Sequence, residues 1–197
     1  MTAAIHPGPV RHCWDHAVVT LRDETAVETA FLSLYAITYS AALGAGHVCL
    51  LRAPAAGIVH AILTDAPEVA RRMVRRLRAM TYPGFELGAP IVAARFERRP
   101  FTADGLGFDI TSDGLGVEVR WLEPSPPFWM IAPAPDLAPD EDIWAMFVEA
   151  RDAALRLDGV AVRGRPFLDE AWVPKLGRAV SSAHVAFSEV RVEPVHA

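Results

Sequence analysis

The chain has 197 residues, 52% of them apolar, a net charge of −5 and a mean hydropathy of +0.21. This composition excludes a disordered chain and a miniprotein that needs staples to fold. The length predicts one domain, and the acidic balance disfavours nucleic acid as a partner.

The longest stretch of low charge, 25–51, is interrupted by Glu28, Thr29, Ser33, Thr38 and Ser40. A membrane span needs about 20 predominantly apolar residues, so none is expected. The opening MTAAIHPGPVRHCWDH lacks a basic segment followed by an apolar core, so no secretory signal is expected either. Cys13 and Cys49 are the only cysteines and make no disulfide framework, which points to a reduced, cytoplasmic protein.

The cations are 18 arginines and one lysine, Lys175. A lone lysine is a candidate for Schiff-base or phosphate chemistry, although arginine-rich codon usage is the plainer account. Arg52 to Arg99 carries a net +5, and Phe101 to Asp158 a net −9. Such halves attract each other within one globule or across a subunit interface.

In chain order, residues 1–11 read as an arm, set against regular structure by Pro7, Gly8 and Pro9. His16 to Leu21 reads as a short strand. RDETAVETAFLSLYAITYSAALGAG has apolar residues recurring at three and four and ends in Gly44 and Gly46, which predicts a buried helix. HVCLLRA and GIVHAIL, split by PAAG, predict a hairpin. TDAPEVARRMVRRLRAM predicts a helix, with Asp65 and Glu68 in capping-box spacing and Val69, Met73, Leu77 and Met80 in one stripe.

TYPGFELGAP reads as a loop and IVAARFERRPF as a strand. GFDITSDGLGVEVRWLE predicts a hairpin around Asp113-Gly114, apolar on one face and charged on the other. FWMIA predicts a short edge strand inside a proline-rich stretch. PDEDIWAMFVEARDAALRLDG predicts a helix, acidic at its start and closed by Gly159. SSAHVAFSEVRVEP predicts a final strand whose apolar parity switches near Ser188, a mark of a bulge. These elements predict one α+β domain over 12–197, a mostly antiparallel sheet covered by two or three helices.

Several groups can carry chemistry. In RHCWDH, His12 and His16 at i and i+4 can share a metal on a helix, with His47 and Cys49 as further ligands. On a strand the same spacing parts them by about 13 Å, and the segment is then an arm anchored by Trp14. The two DGLG segments at 104–107 and 113–116 precede strands rather than helices and read as turns. RRMVRRLR presents either an anion-binding face or a solvated one paired with the acidic half.

Asp109, Glu118, Arg120 and Glu123, on the polar side of the central hairpin, are candidates for acid–base or carboxylate-binding roles if that side faces a cavity, and solvate the sheet if it faces water. His184, in a polar stripe with Ser182 and Ser188, is a candidate proton carrier or a hydrogen-bonded core residue. Trp121, Phe128 and Trp129 are candidate walls of an apolar pocket, an interface or core.

Two functions fit these features. One is a small-molecule-binding protein or enzyme with a pocket between sheet and helices, using Asp109, Arg120 and His184 with Trp121, Phe128 and Trp129, for a small apolar or anionic ligand. The other is a non-enzymatic accessory subunit that self-associates into a homodimer. The residues imply no particular cofactor and no particular reaction.

Overall fold

The computed structural model describes residues 9–79 and 89–194. The first eight residues of the expected arm, Met80 of the expected helix stripe and most of the expected TYPGFELGAP loop lie outside them. Thirteen strands occur among the described residues, in chain order. They are β1 (Val10–Arg22), β2 (Glu28–Ser40), β3 (Gly46–Ala53), β4 (Ile58–Thr64), β5 (Ile91–Thr102), β6 (Gly105–Ser112), β7 (Leu115–Pro124), β8 (Phe128–Ala132), β9 (Asp142–Leu157), β10 (Val160–Ala161), β11 (Leu168–Asp169), β12 (Val180–Ser181) and β13 (Ala183–Val192). Two α-helices are described, α1 (Pro67–Ala79) and the single turn α2 (Val173–Leu176).

Nine strands close into a barrel. The hydrogen-bonded order runs β9-β13-β1-β2-β3-β4-β5-β6-β7, and β7 returns to β9. Neighbours are antiparallel except β4 and β5, which are parallel and flank α1 in the chain. Closure depends on the length of β9. Its first half pairs with β13 on one edge and β8 on the other, and its second half pairs with β7.

The α+β expectation is therefore corrected. The segments expected as helices at 23–46 and 139–159 are mainly the long strands β2 and β9. Both are covered on two faces. In β2, Ala30, Leu32 and Leu34 point into the barrel, while Tyr35 and Ile37 pack under α1. In β9, Ile143, Ala145 and Phe147 meet the outer covering, and Val148, Ala150, Leu155 and Leu157 face the interior. A strand buried on both faces loses its period-two signature and reads like a buried helix. Asp23 opens no helix; its carboxylate accepts from the Thr25 and Val27 N–H groups in the β1–β2 turn.

The expected hairpins β3–β4 and β6–β7, helix α1, edge strand β8 and the bulge at Ser188 are all present. The arm is shorter than expected, because Val10 and Arg11 already belong to β1.

The barrel interior is filled by side chains such as Val19, Leu32, Leu51, Phe108, Val119 and Trp121. Each such side chain contributes about 1.5–3 kcal/mol by leaving water. Two coverings lie on the outer wall. Met73 and Leu77 of α1 pack over Tyr35, Val48 and Leu50, and Trp172 and Leu176 pack with Phe147 and Ala186. A strip along β1 and β13 remains between them. No helix among the described residues is long and apolar enough to cross a membrane.

Candidate functional site

The strip between the two coverings is a groove of about 640 Å³. Its floor is the outer face of β1 and β13, with His16 and His184 at its centre. Val18 of β1 stands opposite His184, and His16 stands opposite Ala186, so the two imidazoles are diagonal neighbours on one face. Met73, Arg76 and Leu77 of α1 form one wall, and Phe167, Trp172 and Lys175 form the other.

The bulge in β13 decides what else joins the floor. Ser188 takes a φ of 48°, and its N–H donates to Asp15 Oδ1 at 2.8 Å. The extra residue reverses the alternation. Glu189 and Arg191 therefore lie on the same face as His184 and Ala186, and all four but Arg191 are deeply buried.

Both imidazoles are held neutral. The protein around half-buried His16 pushes its pKa down to about 3, chiefly by desolvation. His16 Nε2 is 2.9 Å from Ser33 Oγ, and its ring stacks on Tyr35 at 4.1 Å. Desolvation also lowers His184, which is 5% exposed. His184 Nδ1–H donates to the Ser181 carbonyl at 2.8 Å, which fixes the tautomer. Its Nε2 is thus a hydrogen-bond acceptor, with no partner among the described residues. Phe147 stacks on the ring at 4.7 Å, and Trp172 stands edge-on at 5.6 Å.

The buried charges beside the histidines are paired. Glu189 Oε1 accepts from Trp14 Nε1–H at 2.9 Å and Arg191 Nε–H at 2.7 Å. Burial works to raise the Glu189 carboxyl, but these partners outweigh it and hold it ionised. Behind them Glu141, fully buried, pairs with Arg76 and with Arg191 at 3.5 Å, and its Oε1 is 3.3 Å from His12 Nε2. That last contact is close but lacks hydrogen-bond geometry. At the rim, Arg52 pairs with Glu28 at 2.6 Å, and Asp169 accepts from the Ala171 N–H at 3.0 Å.

A wider concavity of about 1350 Å³ opens at one end of the barrel, beside Arg22, Ile58, Leu115 and Asp158. No buried ionisable group lines it. Of its acids, Asp23 is bound within its own turn and Asp158 accepts from the Gly116 N–H of β7 at 2.7 Å. The groove is where the perturbed groups gather, and perturbed groups in a cleft are the physical mark of a site.

The residues expected to act together are dispersed. Of the expected set, His184 and His16 line the groove. Asp109 and Arg120 pair at 2.5 Å on the outer wall of β6 and β7, with Arg99 as a second partner of Asp109. Trp121 is inside the barrel, its indole N–H donating to the Val18 carbonyl at 2.7 Å. Phe128 packs on Phe147 behind the groove, and Trp129 faces outward from β8 with 76% of its surface exposed.

His12 and His16 are on a strand rather than a helix, and each ring has its own hydroxyl partner, Ser40 Oγ at 2.7 Å for His12. No cluster of three or more metal-ligating side chains occurs among the described residues.

Sequence reasoning missed Tyr35, Trp172 and Glu189. Tyr35 was hidden in the supposed helix, and none of the expected elements included Trp172. Glu189 was within reach, because the parity switch at Ser188 implies that it turns to the His184 side.

No family model matches this chain, nor does any curated protein sequence or any solved structure. The fold and the groove define the class of the molecule on their own: a closed, side-chain-filled barrel that carries a ligand-sized groove on its outer wall.

Proposed function

We propose that this chain is a small-molecule-binding protein or enzyme whose ligand occupies the outer groove between α1 and the 167–176 covering. One observation carries the reading: His184, almost fully buried and fixed in one tautomer, presents an unpartnered Nε2 to a cleft of ligand size. An acceptor that faces a cleft can take a hydrogen bond from a donor on a bound ligand. The same nitrogen can accept a proton, so the reading covers turnover as well as binding. Cys13 and Cys49 are free thiols, in keeping with a reducing, cytoplasmic setting.

The test is a fragment screen read by amide and imidazole NMR. Ligand-induced shifts centred on His16, His184 and Trp172 are expected. Shifts confined to the barrel end around Asp23 and Asp158 would overturn the assignment.

The second reading, a self-associating accessory subunit, is favoured by β8. Among the described residues it pairs on one edge only, and Trp129 and Ile131 are 76% and 61% exposed. An exposed apolar edge strand is a template for pairing. Sedimentation equilibrium of the wild type and Trp129→Asp tests it: a dimer lost in the variant supports the reading, and a wild-type monomer at high concentration ends it.

A further inference from the structure

We infer that the groove selects an aromatic anion: a planar ring with a carboxylate or phosphate at one end and an O–H or N–H donor at the other. This rests on the reading of the groove as a ligand site.

The first support is the charge left over. The groove is lined by five cations and three carboxylates. Arg52 is paired with Glu28, Arg191 with Glu189, and Arg76 with Glu141 behind the wall. Arg22 and Lys175 remain, against one carboxylate, Asp169, that has no cation partner among the described residues and accepts from the Ala171 N–H. Neither cation has a carboxylate within ion-pair distance among the described residues, and each rests on an aromatic face. The Arg22 guanidinium is 3.6 Å above the Phe167 ring, and Lys175 Nζ is 5.8 Å from the Trp172 ring. The groove therefore keeps a net positive charge of one, five cations against Glu28, Asp169, Glu189 and the Glu141 behind the wall, and the neutral imidazoles below add none.

The second support is independent of charge. His184 Nε2 is an acceptor, so it asks for a donor from the ligand and rejects a bare apolar edge. The third is shape. Trp172 is near both polar ends, its ring centre 5.6 Å from the His184 ring and 5.8 Å from the Lys175 ammonium. Phe147 and Tyr35 complete an aromatic surround. A one-ring acid is long enough to reach His184 and Lys175 together, with its ring against Trp172. Offset or edge contacts between such rings add to the area they bury.

The experiment is calorimetric titration with three probes: 4-hydroxybenzoate, benzoate and 4-hydroxybenzyl alcohol. The first has both polar ends, the second lacks the donor, and the third lacks the charge. The expected order puts 4-hydroxybenzoate first, about fivefold tighter than either of the others. Lys175→Gln, at an exposed position, is expected to remove the advantage over the alcohol. His184→Ala is expected to remove the advantage over benzoate.

Equal binding of the acid and the alcohol, unchanged in Lys175→Gln, would overturn the anion inference and leave the groove reading standing. No binding of any probe, with no NMR shift at His16, His184 or Trp172, would overturn both. Should His184→Ala fail to fold, the comparison of benzoate with 4-hydroxybenzoate in the wild type still decides the donor requirement.

Discussion

Glu141 has no exposed surface, yet its Oε1 is 3.3 Å from His12 Nε2 and its other oxygen is gripped by Arg76 of α1. The residue joins the loop before β9 to β1 and to the helix that walls the groove. Burial works to raise its carboxyl, but His12, Arg76 and Arg191 outweigh burial and hold it at about 2. Removing one member of a buried ion pair leaves the others uncompensated and costs about 3–5 kcal/mol. Glu141→Gln is expected to lower the urea midpoint by a corresponding amount, with an unchanged slope. A midpoint within error of the wild type would show that the network does not hold α1.

The imidazoles set the acid limit of stability. The pKa of His16 is about 3 in the fold and 6.5 in the free side chain, and His184 is lowered in the same direction. The unfolded chain binds more protons than the folded one between these values, so stability rises with pH across that window. It is complete above about 6.5 and falls as pH drops toward 3. Glu141 adds a second loss below about 4.5, because its folded pKa lies under its unfolded one. Urea midpoints measured from pH 7 to pH 4 are expected to decline in the wild type and to decline less steeply in His16→Gln. Parallel profiles would sink the assignment to His16.

Trp121 and Asp109, both expected in one pocket, occupy opposite sides of the barrel wall and should respond differently. Trp121 is 2% exposed and its indole N–H is satisfied by the Val18 carbonyl. Trp121→Ala is expected to cost about 3–5 kcal/mol, on the scale of whole-side-chain deletions from cores. Asp109→Asn breaks ion pairs with partly exposed Arg99 and Arg120 and is expected to cost about 1 kcal/mol or less. Thermal melts compare them directly, and a larger loss from Asp109→Asn would contradict the placement.

The two thiols should separate kinetically. Cys49 is fully buried in the barrel, and burial pushes its thiol far up. Cys13 is partly exposed at the barrel end, raised by burial and by the nearby Asp15. Thiol labelling of native protein is expected to modify Cys13 slowly and Cys49 only after denaturant is added. Fast loss of both thiols under native conditions would mean that the barrel opens.

Local signals carried the elements with one buried face. The β6–β7 hairpin alternates cleanly, because its outer side carries Asp109, Glu118 and Arg120 against solvent. Helix α1 is legible from its capping pattern and its single apolar stripe. The Ser188 bulge is legible as a change of parity, and through it the turning of Glu189 toward His184.

Taken alone, the sequence determined the net acidity, these elements and His184 as a residue to test. Tertiary structure decided the rest. β2 and β9 are strands because both of their faces are covered, a fact held by partners and not by the segments themselves. The groove exists because β1 and β13 pair, bringing Trp14 against Glu189 across 175 positions. Alternation and capping act over a few residues and leave a local trace. Strand order and barrel closure are set by burial summed over the whole chain, and no local window contains that sum.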